Sequence, residues 1–315
     1  NKKVEFFTQL FLFLWKIKTM KKLSLLFTLI SFCVFSQEKK FITPDLPKNQ
    51  VYQYHISSAS SLKSPKGKSY HAPFTVNQDV EVTYLFNDGN DKIFSWKIIN
   101  YEHLHEGKKE EKNDCNCNKV AYRNQVTVYF RTDSLGAYKK FNNLAQVREN
   151  LLKNIAEQEK LLSKNDKNIF EKVKRYPEGV ISSIEEDIII FSRYFGIENK
   201  NSVNTLFARR NNFPFGIKSK PFKVVLSVLS EEKDLKINVK NEFDKNKAED
   251  EDYNIFRFNQ DVEKEKKHYQ LIADEVYVFS KENFRLLSAK LTAKEISNFH
   301  NDGIYDYQYS ITQKE

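Results

Sequence analysis

Methionine occurs once in this chain, at Met20, and glycine and proline are nearly as scarce, with eight and seven in 315 residues. So little of either excludes collagen-like repeats, and no Gly/Ser-rich or Pro-rich stretch marks a domain boundary. Three cysteines, Cys33, Cys115 and Cys117, are too few for a disulfide-built scaffold. Familiar catalytic signatures are missing as well. There is no G-x-S-x-G elbow, phosphate-binding loop or G-x-G-x-x-G turn. His105-Glu106 fails as a zinc-protease motif because Lys109 stands where the second histidine belongs. The chain also lacks a strong excess of one charge. Its formal +9 falls to +4 once residues 1–36, with their six lysines and Glu5, are set aside. Charges so mixed exclude the clustered basic stripe of a nucleic-acid binder.

What is present begins with a leader. Lys21 and Lys22 follow Met20, an apolar run covers residues 23–35, and Ser36 precedes the polar Gln37-Glu38-Lys39-Lys40. A basic start, an apolar core and compact residues at Val34 and Ser36 suit a signal peptidase, so residues 20–36 read as a cleavable signal peptide. The run falls short of the about 20 apolar residues of a membrane span, so no transmembrane segment is expected after cleavage. Residues 1–19 read as an upstream segment outside the true protein. Cys33 follows the bulky Phe32, which argues against lipidation there. The expected address is export from a Gram-negative bacterium, to the periplasm, the outer surface or the medium.

Residues 37–315 read as a single exported domain. Aromatic residues make up 14% of the chain, which suits a sheet with bulky side chains. Val80, Val82, Tyr84 and Phe86 alternate with Glu81, Thr83 and Leu85, the period of a half-buried strand. Asn87-Asp88-Gly89-Asn90 then predicts a hairpin, since Asp-Gly supplies the positive φ such turns require. Phe94, Trp96 and Ile98 lie on the next strand, and Val120, Tyr122, Val126, Val128 and Phe130 on a third. An earlier strand is predicted at residues 51–56, followed by a Ser-rich loop at 57–64.

After Asp133-Ser134-Leu135-Gly136 the period changes. Leu144, Val147, Leu151, Leu152 and Ile155 recur at helical spacing, and Asn143 with Gln146 resembles a capping box. Further helices are predicted at residues 168–175 and 179–194, the last ended by Gly196. Strands return with Phe222, Val224, Leu226 and Val228, then with Leu235, Ile237 and Val239. Others fall at residues 253–258, 275–279 and 284–293, and in the row Tyr305, Tyr307, Tyr309 and Ile311. The predicted fold class is α+β: an antiparallel sheet, open to curvature, made of a meander and a second run of strands. It packs on a three-helix insert at about residues 143–196.

Two groups of residues point to chemistry. His103 and His105 precede Cys115 and Cys117, and residues two apart on a strand face the same way. Two imidazoles and two thiolates meeting across a hairpin would suit zinc or copper. Against this, residues 106–114 are highly charged, and alternation with Ile98 and Leu104 puts both histidines on the solvent side. Two cysteines in an exported chain by default form a disulfide, although so small a ring would be strained and pairing between molecules is a third state. The tyrosine row 305, 307 and 309 is the second group, read as either core or the lining of a ligand cavity. Glu185-Glu186-Asp187 and Glu249-Asp250-Glu251-Asp252 read as solvated charge. Arg209-Arg210 beside Phe213-Pro214-Phe215 reads as a surface loop or a seat for an anion.

The leader ending Val34-Phe35-Ser36-Gln37 resembles those of exported proteins of Bacteroidetes-type bacteria. Thr132-Asp133-Ser134-Leu135-Gly136, leading into Leu144-Ala145-Gln146-Val147-Arg148, is similar to the strand-to-helix junction of envelope proteins from that group. Those proteins have no agreed activity, so the resemblance implies an envelope address and no catalytic residues. The element order is also similar to that of lipoprotein-carrier-like half-barrels, in which a curved sheet wraps helices around a greasy cavity.

The expectation is therefore a non-enzymatic envelope protein of structural or binding type with no resident cofactor. Its expected partner is an envelope protein or an apolar small molecule held between sheet and helices. One alternative is a zinc- or copper-binding protein centred on His103, His105, Cys115 and Cys117. The other is a secreted hydrolase using one of His55, His71, His268 or His300.

Overall fold

Bulky residues at alternate positions build one continuous sheet along most of this chain. The computed structural model describes residues 41–63, 69–105, 122–160, 171, 174–210, 220–249, 252, 266, 268–297 and 303–314. The upstream and leader segments, both cysteines of the Cys115/Cys117 pair and the strand expected at 253–258 lie outside the described residues. So does most of the helix expected at 168–175.

The first strands are β1 (Val51–Lys63), β2 (Ser69–Asp88), β3 (Asp91–His105), β4 (Thr127–Thr132) and β5 (Tyr138–Phe141). Two helices follow, α1 (Leu144–Glu159) and α2 (Glu178–Ser192). Then come β6 (Ser202–Arg210), β7 (Lys220–Ser230), β8 (Asp234–Phe243), β9 (Gln270–Ser280), β10 (Leu286–Ser297) and β11 (Gly303–Gln313). All eleven strands belong to one antiparallel sheet in the order β5-β4-β3-β2-β1-β11-β10-β9-β8-β7-β6. The chain starts at the middle of this sheet and zigzags out to the β5 edge. It passes through the helices to the β6 edge and zigzags back until β11 pairs with β1, Ile56 opposite Ile311.

One face of the sheet carries the core. Tyr54, Val82, Trp96, Phe130, Val228, Ile237, Tyr277 and Leu291 are among its buried residues, while the alternate positions on each strand stay polar or partly exposed. The helices cover this face. In α1, Val147, Leu151 and Ile155 recur every fourth residue and are fully buried. In α2, Ile181, Ile184, Ile188 and Phe191 form the apolar stripe. The Phe191 ring stands edge-on to both Tyr54 and Trp96, with centroids 5.4 and 5.6 Å away. Burying each such side chain stabilises the fold by about 1.5–3 kcal/mol.

The structure corrects the predicted fold class. It is dominated by a single eleven-stranded sheet with two α-helices among the described residues, not an α+β domain built on a three-helix insert. The two runs of strands are not separate layers, because β1 and β11 hydrogen-bond along ten residue pairs and fuse them into one ladder. Several strands are also longer than alternation implied. The Ser-rich segment after residue 56 continues β1 to Lys63, and β2 begins at Ser69. β6, an edge strand exposed along most of its length, carries no alternating signal.

Local chemistry differs in one further place. Asn143 occupies the N-cap of α1 but makes no capping bond. Its side chain instead accepts from the Tyr129 amide at 2.8 Å and donates to the Thr127 carbonyl at 3.1 Å, tying the helix start to β4.

Candidate functional site

The site is a cavity of about 150 Å³ between α2 and the central strands. Cross-strand register assembles its floor. Ile56 of β1 lies opposite Gln78 of β2, which lies opposite Tyr101 of β3. One step along, Val76 lies opposite Ser58, which lies opposite Tyr309 of β11. Small serines beside large tyrosines leave the space. Ser183, Glu186 and Asp187 supply the roof, three and four residues apart on one face of α2.

Arg123 enters from the turn between β3 and β4. That turn is held by α1, where the Asn154 amide donates to the Tyr122 and Asn124 carbonyls at 3.0 and 2.9 Å. The next residue, Gln125, has φ 62° and its amide reaches the Ile98 carbonyl at 2.7 Å. The Arg123 guanidinium thereby rests over the Tyr101 ring, 4.6 Å from its centroid.

Asp187 is the centre of the polar network. It is buried, and its two oxygens accept separately from the Tyr309 hydroxyl, at 2.8 Å, and from the Gln78 side-chain amide. Burial pushes its carboxyl up, against the pull of the Tyr309 hydrogen bond, the Arg123 charge and the Gln78 amide. Glu186 beside it is pushed up to about 7, chiefly by burial and then by Asp187, with Arg193 opposing. Burial likewise keeps the Tyr307 and Tyr309 phenols protonated far above the usual range. Two polar atoms of the lining have no partner among the described residues: Gln78 Oε1 and Arg123 Nε, both shielded from solvent. An unmet buried group of this kind costs about 1–3 kcal/mol.

Of the sequence-predicted site residues, Tyr307 and Tyr309 line this cavity. Tyr305 pairs across the sheet with Leu62 and Glu295 and is not part of the lining. His103 and His105 fall opposite Val76 and Phe74 in the backbone register of β3. A register shift between Asp79 and Val80 pairs Val80 with Ile98 but Gln78 with Tyr101, so simple alternation from Ile98 does not continue along β3. Cys115 and Cys117 lie outside the described residues. Among the described residues no three His, Cys, Asp or Glu gather as metal ligands. His55 contacts Asp79 at 2.8 Å and lies between the buried Tyr54 and Ile56, on the opposite face from the cavity.

The acidic triplet on α2 is not solvated charge: Asp187 is buried, and Glu185 accepts from the Tyr138 hydroxyl at 2.5 Å. Arg209 and Arg210 are committed internally. Arg209 makes two bonds of 3.0 Å to the buried Asp252. Arg210 reaches Glu275 Oε1 at 2.6 Å, while Arg193 reaches Oε2 at 2.9 Å and the Asn241 amide donates to Oε1 at 3.0 Å. Burial alone would raise the Glu275 carboxyl, but the two arginines hold it below its ordinary value.

No protein-family model matches the chain, and neither does any curated protein. Among solved structures it is similar to lipovitellin, in a structure of lipovitellin's lipid–protein interactions, at 11% identity and a TM-score of 0.44. That match covers 85% of this chain and 25% of lipovitellin, so the chain spans about a quarter of it. A second match is DynF from the dynemicin biosynthesis pathway of Micromonospora chersina, at 7% identity and a TM-score of 0.18, covering 88% of this chain and 86% of that one. Neither score reaches that of a shared fold. No described helix is long and apolar enough to cross a membrane.

Proposed function

We propose that this is an exported, non-enzymatic binding protein of the cell envelope that holds a small molecule between its sheet and α2. The observation that carries the reading is a partly enclosed cavity lined by Gln78 and Arg123, whose buried Oε1 and Nε both lack partners among the described residues. Its volume is that of a site for a benzene-sized molecule. Ile56, Val76 and the tyrosine rings offer an apolar wall, and Gln78, Arg123, Glu186 and Asp187 a polar one. The ligand that suits both has an apolar body and one polar end, a narrower class than the apolar molecule expected from the sequence. The leader at residues 20–36 supports the envelope address, which fractionation of cells producing the tagged full-length chain tests directly.

Ligand-observed NMR with polar fragments of benzene size tests the binding. Hits should disappear in Ser58→Leu, which fills the floor of the cavity and leaves each of its charged side chains in place in the sequence. Failure of every fragment to bind, or binding that Ser58→Leu leaves intact, would sink the reading.

A further inference from the structure

If the cavity binds a small molecule, as proposed above, its lining also selects the polar end. Gln78 has spent its amide nitrogen on Asp187 Oδ2, so what it offers the cavity is an acceptor, Oε1, which requires a donor. Each oxygen of Asp187 accepts one of the hydrogen bonds described above and has lone-pair capacity to accept another. Glu186 adds a second carboxyl. Of the charged side chains in the lining, two are acidic and one is basic. The basic one, Arg123, stacks on Tyr101 and is opposed by Asp187. Arg193, whose charge also reaches Glu186, is bonded to Glu275. The ionised lining therefore carries one negative charge in excess, surrounded by Tyr101, Tyr307 and Tyr309, whose rings attract cations.

We propose that the cavity recognises a primary ammonium group on a small apolar body, with Gln78 Oε1, Asp187 and Glu186 as its acceptors. An ammonium carries three donors and no acceptor, which suits a lining with acceptors on β2, Gln78, and on α2, Glu186 and Asp187. An alcohol could donate only once, and a carboxylate would meet two acids with only Arg123 in its favour.

The test compares isosteres by calorimetry on the full-length protein: n-butylamine, 1-butanol and butyrate. Butylamine should bind at least about tenfold tighter than the other two, a difference of roughly 1.4 kcal/mol. Glu186→Gln should weaken butylamine by about tenfold on the same scale and butanol, which has no charge to pair, by clearly less. That variant keeps its shape and a partly exposed position, and thermal unfolding verifies that it is folded. Glu186 titrates near 7, facing Asp187, Arg123, Arg193 and the three tyrosines, so amine affinity should climb as pH rises from 6 to 8. The amine itself stays charged over that range, with a pKa like the ~10.4 of lysine. Butanol or butyrate binding as tightly as butylamine, with Ser58→Leu abolishing it, would overturn the ammonium assignment and leave the cavity as a binding site. Absence of binding by all three, together with a failed fragment screen, would remove both.

Discussion

Glu186, half-buried on α2, and Glu275, fully buried on β9, are pushed in opposite directions by their surroundings. Glu186 is raised to about 7 from 4.5 because burial is its largest influence and no bonded cation offsets it. Between those two pH values the unfolded chain has lost this proton and the folded chain has kept it. Stability therefore falls as pH rises from 4.5 to 7 and levels off above, by about 2–3 kcal/mol in all for a mostly buried group. Glu186→Gln should remove that part of the decline, so urea unfolding of variant and parent should agree near pH 4 and diverge, in the variant's favour, by pH 8. A parent that is no less stable at pH 8, relative to the variant, would show that Glu186 is solvated.

Glu275 behaves in the contrary way. Its carboxylate joins Arg193, after α2, to Arg210 on β6 and to Asn241 on β8. Glu275→Gln leaves two nearly buried guanidinium groups without their anion, and breaking such a pair should cost about 3–5 kcal/mol. Chemical denaturation at pH 7 measures it. A loss under about 1 kcal/mol would mean water reaches these arginines in solution. The roles of both glutamates were invisible from local pattern. A carboxylate among polar neighbours on a helix reads as solvated until strands more than a hundred residues away bring Gln78 and Tyr309 to Asp187.

At the scale of single elements, much was legible. Val80 to Phe86, the Asp88-Gly89 hairpin, the β7 and β8 faces and the stripe of α1 all follow from periods of two or 3.6 residues, and each is present. What failed were segments whose conformation is imposed by neighbours. Ser57 to Ser61 has little intrinsic preference for a strand, yet it is one because β2 and β11 pair with it on both sides. β6 is a strand because β7 templates it.

The glycines divide by the same logic. Gly136 sits in the turn after β4 at φ 101°, and a Cβ there would come within 2.6 Å of Pro44 Cδ, in the segment that leads into β1. Gly136→Ala should cost about 1–3 kcal/mol, from backbone strain and displacement of that segment. Gly179, by contrast, lies exposed in the first turn of α2 with ordinary φ and open space around it. Gly179→Ala should stabilise by about 0.5–1 kcal/mol through helix propensity. Thermal melts of the two variants should move in opposite directions. A shared direction would contradict the geometry given for one of them.

For the whole molecule, the pairing of β1 with β11 is the defining contact. It sits at the centre of the sheet, flanked by five strands on one side and five on the other when β1 is counted with the first run and β11 is the axis. Hydrogen exchange should find the amides of β1, β11 and β10 slowest and those of β5 and β6 fastest, since opening spreads inward from the edges. Protection that is highest in β7 and β8 would instead mean that the second run folds as an independent unit.

That same arrangement sets an order of events at the ribosome. β1 is among the first strands made, and its partner at residues 303–313 is the last. Until residues 303–313 have been made, the side of β1 that pairs with β11 in the folded sheet is without that partner. Such an edge invites pairing with any other extended chain nearby. The sheet therefore stays open next to its central strand position until its last strand emerges, and a holding chaperone would act on the exposed side of β1 during that interval.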